Sequence, residues 1–322
     1  MKKFFKFLGI FLLIVIITCV ATVAIFLKSK LNKINYENVT ANEIEINEGV
    51  EEVLTGYTNI ALLGLDAQDA TFTNSRSDCI MIISINNETK EVKIASVYRD
   101  TYLNIEGHGL DKVTHAYAYG KAPLALSTLN TNLDLDITKY VTIDFDSVIN
   151  IVDAIGGVTI TVTSAEASQI PGISGAGTYN LTGTQALAYG RIRKIDSDYV
   201  RTERMRTVLI KVFEKAKGLT YAKLNSLIDE LLTEVTTNIT QTEILSYASK
   251  ITAYNVIDNF GWPYEVRGYT GAAWYAAPVT LEENVRKLHE QLFENEEYEV
   301  SETVKEISQS IINKTGYRQK NN

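Results

Sequence analysis

Apolar residues along this chain come first as one long run and then as many short ones. Residues 7–27, FLGIFLLIVIITCVATVAIFL, carry no charge, and a run of that length covers a bilayer as a helix. Residues 28–55 are polar and acidic and read as a stalk. From Thr58 the pattern predicts sheet: NIALLGL (59–65) is short enough for a buried strand. CIMIISI (79–85) and VKIASVY (92–98) flank the polar segment NNETKE and predict a β-hairpin. TKYVTIDF (138–145) and VTITVT (158–163) are further strands, separated by a helix over 146–155 that stops at Gly156-Gly157. Helices are expected over 183–190, 202–217, 220–236 and 241–252. A Trp/Tyr-rich loop from Asn259 then leads to two more, over 280–293 and 301–313. Strands and helices interleaved in this way predict a three-layer α/β/α domain with a central mixed β-sheet over 56–255, preceded by one transmembrane helix. Residues 256–322 are expected to pack on that domain.

Charge orients the chain only weakly. Lys2, Lys3 and Lys6 precede the apolar run, but Lys28, Lys30 and Lys33 follow it, so the positive-inside rule barely discriminates. A cleaved signal peptide is the alternative, with those first lysines as its n-region; its apolar core is normally shorter. The simpler topology keeps residues 1–6 in the cytoplasm and exports the large remainder, a single-pass cell-membrane protein in contact with membrane lipid. Cys19 lies in the run and cannot pair with Cys79, so no intramolecular disulfide is expected. A net charge of -8 argues against a general nucleic-acid binder. His108, His115 and His289 show no zinc-ligand spacing and read as surface or loop residues.

The acidic chain nevertheless concentrates arginine. RIRKIDSDYVRTERMR (191–206) holds Arg191, Arg193, Arg201, Arg204 and Arg206, and the whole chain has only ten. Guanidinium groups grip phosphate or carboxylate at two points. Arg191 and Arg193, spaced by two in an extended exit from a helix, share a direction. Arg201 and Arg204, spaced by three near a helix start, share a face. Cations there are disfavoured by the helix macrodipole, and a bound anion would compensate. Arg206 falls off that face and is expected to be solvated. A second cluster forms at the sheet. Asp66 ends one strand, Asp78 opens the next, and a hairpin centred between Glu88 and Thr89 sets Arg99 opposite Asp78, with Arg76 nearby. Two carboxylates without His or Cys suit a hard cation, magnesium above all beside phosphate. Simple salt bridges among the four groups are the other reading, and both stay open.

Seven stretches in order resemble the LytR–CpsA–Psr family: NIALLGLD, RSD (76–78), SVYRDT (96–101), DKVTHAYAYG (111–120), VDAIGGV (152–158), QALAYGRIR (185–193) and DYVRTERMR (198–206). The resemblance covers roughly residues 59–217. It implies a membrane-anchored phosphotransferase that moves an anionic glycopolymer, of teichoic acid or capsule type, from undecaprenyl diphosphate to a peptidoglycan sugar hydroxyl. It places Mg²⁺ on Asp66 and Asp78 and the diphosphate on Arg76, Arg99, Arg191, Arg193 and Arg201, with Asp198 orienting them and Lys112 near the pocket. Two positions depart from the family pattern: Tyr98 stands where Pro is common, and Met205 where Gln is common. Phosphoryl transfer needs charge neutralisation and in-line positioning, the part expected of Arg99 and its neighbours. Arginine is too strongly protonated to serve as a base, which leaves Asp100 or Asp198 for that role. A diphosphate hydrolase using water, a non-catalytic envelope regulator and a purely structural envelope protein remain as alternatives.

Overall fold

The computed structural model describes residues 35–66, 75–220 and 235–318, and between them residues 223, 224 and 227. The apolar run 7–27 lies outside the described residues; among those described, no helix is long and apolar enough to cross a membrane.

The short runs form the strands that their alternation predicts. β1 (Asn35–Tyr36) and α1 (Val50–Val53) precede β2 (Tyr57–Leu65), β3 (Ser77–Asn86) and β4 (Glu91–Val97). The β3–β4 hairpin pairs Ile80 with Val97 and Ser84 with Lys93, the register expected from its turn. After it come β5 (Tyr102–Ile105), β6 (Gly109–Lys112), α2 (Thr114–Leu133), β7 (Lys139–Ile143), α3 (Phe145–Ala154), β8 (Val158–Val162), α4 (Ser164–Ala167) and β9 (Gly177–Leu181). The remainder is α5 (Gly183–Gly190), α6 (Asp198–Lys217), β10 (Val235–Thr237), α7 (Gln241–Ser249), β11 (Asn255–Trp262), β12 (Val266–Thr270), β13 (Trp274–Pro278), α8 (Leu281–Phe293) and α9 (Glu302–Thr315).

Seven strands form the central sheet in the order β1-β10-β7-β2-β3-β4-β11. It is mixed: β2 runs antiparallel to β3 and parallel to β7. Both faces are apolar, because β2 and β3 alternate two apolar sets. Ala61, Leu63, Ile80 and Ile82 face a core shared with α2, α8 and α9. Ile60, Met81, Ile85 and Ile94 face the opposite way, toward Leu209 and Phe213 of α6 and Ile244 and Tyr247 of α7. Helices on both faces make three layers. A satellite cluster joins α3, α5 and α6 to the β8–β9 ribbon. Gly156 and Gly157 end α3 with φ of 79° and 84°, a left-handed stop that side chains resist.

Four expectations need correction. Residues 35–55 are not a free stalk: β1 pairs with β10, and Ile44, Val50 and Leu54 are buried in the core. The strand expected at 158–163 leaves the main sheet and pairs only with β9. The helix expected over 220–236 ends instead in β10 at Val235–Thr237; most of that range lies outside the described residues. The aromatic loop from Asn259 is largely strand: it begins with the end of β11, which adds to the edge of the sheet parallel to β4, and continues as the antiparallel β12–β13 hairpin. Helix α2 carries no regular apolar period because Gly120 and Lys121 break it at a kink and Pro123 follows. Its Asn130 bonds to the backbone of Ile137, and Asn132 to that of Asn104, so polar residues fill buried positions there.

Candidate functional site

β2 ends and β3 begins at the same end of the sheet, and the polypeptide there carries charge. Asp78 is buried at the start of β3. Continuing the β3–β4 register brings Arg99 against it, with Nη1 donating to Asp78 Oδ2 at 2.9 Å. Arg193 Nη2 approaches the same oxygen at 3.5 Å. Asp66 receives a looser contact from Arg76, at 3.9 Å. These groups, with Asp100, Lys112, Thr114, His115 and Arg191, line a polar pocket of about 260 Å³. Lys112 Nζ pairs with Asp100 Oδ1 at 2.6 Å. Asp198 stands between two arginines, 2.8 Å from Arg201 Nε and 3.5 Å from Arg99 Nε. Arg191 lies over the Phe145 ring at 4.3 Å, which fixes its plane at the rim.

Charge balance explains which arginines await a ligand. Burial works against the charge of Arg99, but Asp78, Asp198 and Asp100 outweigh it and hold its pKa above the ordinary guanidinium value. Arg193 shows the reverse: burial first, then Arg201 and Arg99, lowers its pKa. Its side chain is 51% exposed, so it borders solvent in a field that favours an added anion. Among the described residues here, four buried polar atoms lack a hydrogen bond: Ser77 Oγ, Asp78 Oδ1, Arg99 Nε and Arg201 Nε. Native interiors leave few such atoms, and their concentration at this pocket marks it as a place for further polar partners.

The arginine-rich stretch divides by structure more sharply than by spacing. Arg191 and Arg193 do point the same way, into the pocket. Arg201 is 1% exposed and lies behind the pocket, against Asp198 and the Asp78 carbonyl. Arg204 does not share an anion site with it. It is buried between Asp196 and Glu166, with Nε donating to Glu166 Oε1 at 2.7 Å. Two carboxylates, and not a ligand, therefore offset its position near the start of α6. Arg206 is not solvated: it is buried, donating to Ser96 Oγ and Asn259 Oδ1, each at 2.9 Å. The reason is tertiary, since β11 covers the face of α6 that the spacing leaves open.

Beside the polar pocket lies an apolar cavity of about 220 Å³ between the sheet and α3, α5 and α6, walled by Leu62, Met81, Val148, Leu187, Met205 and Leu209 among others. A second, of about 290 Å³, continues along α6 to Phe213, Tyr247 and Tyr254; Leu209 belongs to both walls. Charged and apolar spaces meet through neighbours in sequence: Asp78 lines one and Cys79 the other, and Arg191 and Gly190 divide likewise. Met205 therefore serves the apolar wall. Tyr98 packs against Tyr199 in a tilted ring contact, with ring centres 4.3 Å apart. Burial pushes the Cys79 thiol up to about 12, which leaves it un-ionised.

The LytR_cpsA_psr family model matches residues 21–293. The chain belongs to this family. It is similar to the polyisoprenyl-teichoic acid–peptidoglycan teichoic acid transferase TagT of Bacillus subtilis (strain 168), 32% identical over 65% of this chain and 70% of that one. Among solved structures of family members, "TagT bound to LIIa-WTA" superposes with a TM-score of 0.62 at 28% identity, covering 74% of this chain and 91% of that chain. "LytR-CPS2A-psr family protein YwtF (TagT) with bound octaprenyl pyrophosphate lipid" superposes with a TM-score of 0.58 at 27% identity, over 74% and 90%.

Sequence reasoning missed His115 and the cavity walls. His115 is half-buried in the polar pocket and bonds through Nδ1 to Asp111 Oδ2 at 2.8 Å, while His289 is buried in the core; only His108 is at the surface as expected. The spacing by four of His115 and Tyr119 was a readable signal, because such residues meet on one helix face; that Asp111, in β6, reaches both is decided by the fold. The cavity walls had none, since a residue lining empty apolar space looks like core.

Proposed function

We propose that this protein is a transferase that moves an anionic glycopolymer, of the teichoic acid type, from a polyprenyl diphosphate to a sugar hydroxyl of peptidoglycan. One observation carries the reading: a pocket of arginines and buried carboxylates opens beside an apolar cavity along a single edge of the sheet. Only an amphipathic anion, a charged head on a long apolar tail, fills both. The relatives named as teichoic acid transferases, and the octaprenyl pyrophosphate in one family structure, support it.

In this reading Arg99 and Arg193, already converging on Asp78, neutralise the diphosphate, while Arg76, Arg191 and Lys112 close the rim. Arg201 acts from behind by fixing Asp198, which in turn orients Arg99. The undecaprenyl chain threads along α6. Asp66 and Asp78 would hold Mg²⁺. The un-bonded Asp78 Oδ1 fits a metal ligand, and because no group of three His, Cys, Asp or Glu residues forms a metal site among the described residues, phosphate oxygens complete the shell. When bound, the ion neutralises charge developing on the phosphates. Residues 7–27 anchor the domain to the outer face of the membrane, where donor lipid and acceptor meet.

The test is a reconstituted reaction of full-length protein, lipid-diphosphate-linked glycan and peptidoglycan. Glycan joined to peptidoglycan through a phosphodiester, and loss of that product in Asp78→Asn, is the expected result. Release of glycan at the same rate without acceptor would instead make the protein a hydrolase.

A further inference from the structure

With Asp66 and Asp78 assigned to the metal in the reading above, the groups beside the polar pocket left to take a proton are Asp100, Asp198 and His115. Asp100 is paired with Lys112 at 2.6 Å, and Asp198 with Arg201 at 2.8 Å and Arg99 at 3.5 Å. Each carboxylate is already committed to cations, which is the arrangement of a group that orients and not of one that accepts a proton. His115 is built the other way. It enters the pocket from the first turn of α2, and its Nδ1 bonds to Asp111 Oδ2 at 2.8 Å. Asp111 also receives the Tyr119 hydroxyl at 2.8 Å and the Lys112 amide at 2.8 Å. Burial opposes its charge, yet these three bonds prevail and hold its carboxyl below the usual range. His108 stacks on Tyr119 at 4.0 Å and braces the network from the β5–β6 turn. An imidazole with Nδ1 fixed by a carboxylate presents Nε2 as an acceptor.

We propose that His115 is the general base of the transfer, with Asp111 as its positioning residue. The proposal rests on the transferase reading above. The acceptor sugar oxygen bonds to the phosphorus that carries the glycan, and its proton passes to His115 Nε2. The bond from that phosphorus to the polyprenyl phosphate oxygen breaks, and its electron pair leaves on the polyprenyl phosphate. The imidazolium then returns its proton to solvent, to which the His115 side chain is 26% exposed. Across the pocket from His115 stand the carboxylates Asp66, Asp78 and Asp100 and the cations Arg76, Arg99, Lys112, Arg191 and Arg193. Several of these groups can give a pH-dependent rate, so the assignment to the histidine comes from comparing pH profiles with and without its imidazole.

The experiment follows transfer by the full-length chain against pH, with a lipid-diphosphate-linked glycan and peptidoglycan, and thermal unfolding alongside. A general base must be unprotonated to act, so wild type should lose rate along an acid limb of its pH profile. His115→Gln should lower kcat roughly 100-fold or more, leave the donor KM near its original value and erase the limb. His115→Asn keeps a donor for Asp111 without a base, so it should unfold like wild type yet stay slow. Recovery of rate in His115→Asn, or a limb unchanged in His115→Gln, overturns the proposal while the transferase reading stands. Failure of wild type to join glycan to peptidoglycan removes that reading and the base together.

Discussion

Arg193 and Arg206 show how differently two arginines of one short stretch behave. Arg193 borders solvent and meets Asp78 only at 3.5 Å, so its removal leaves no buried partner stranded. Arg193→Ala should therefore unfold at the same temperature as wild type and lose about 2–4 kcal/mol of transition-state stabilisation, the effect of one donor at comparable anionic sites. Lysine at that position should restore only part of the rate, since a point charge lacks the two-point fork. Arg206→Ala should do the opposite. It leaves the hydroxyl of Ser96 and the amide oxygen of Asn259 without their donor inside the protein, a loss of about 1–3 kcal/mol. Its unfolding temperature should drop, with transfer per folded molecule little changed. Measuring both quantities on both variants separates the two kinds of arginine.

Among elements, α6 organises the molecule. Its Ser197 cap bonds to Val200, its first turn holds Asp198 and Arg201 at the charged pocket, and its middle turns carry Met205, Leu209 and Phe213 along the apolar space. One helix thus sets head and tail of the ligand in line. Leu209 lies where the two cavities join, so Leu209→Trp should block passage between them. A long-chain polyprenyl diphosphate should then bind more weakly than to wild type, while a short isoprenoid diphosphate that ends before Leu209 should not. Losing contact with only two methylenes costs about 1.6 kcal/mol, over tenfold in affinity. Titration calorimetry with both ligands checks it; equal weakening of both would place the tail elsewhere.

At the scale of the whole molecule, the carboxyl-terminal helices belong to the same core as the sheet. His289 on α8 is buried against Tyr298, with ring centres 3.6 Å apart, and Nε2 donates to the Leu133 carbonyl at the end of α2. Burial lowers its pKa from 6.5 to about 4. The folded state thus keeps the imidazole neutral while the unfolded chain protonates below about pH 6.5, so stability is complete above that pH. It should fall as pH drops from about 6.5 to about 4, by about 3 kcal/mol at 1.36 kcal/mol per pH unit. His289→Leu should flatten that part of the stability profile, read as urea midpoints at pH 4.5 and pH 7.

Strands β2, β3, β4 and β7 of the sheet, the α5 boundaries and the Asp78–Arg99 pairing were legible in the sequence because each follows from local rules: period-two alternation, a capping residue, a hairpin that counts its own register. The family motifs likewise mark Asp66, Arg76, Lys112, Arg191 and Arg193, all of which line one pocket. What lay beyond the sequence concerns partners distant along the chain. Arg204 meets Glu166, Arg206 meets Asn259, and β11 pairs with β4. Residues 35–55 look like a polar tether until the sparse apolar positions Ile44, Val50 and Leu54 find the core. Spacing along one helix says which side chains share a direction, but burial depends on what arrives from elsewhere to cover it. The cavity is the extreme case, because empty space is a property of how layers fail to meet. Residue identity alone determined the chemistry of this protein; tertiary packing decided which of those charges remain free to act.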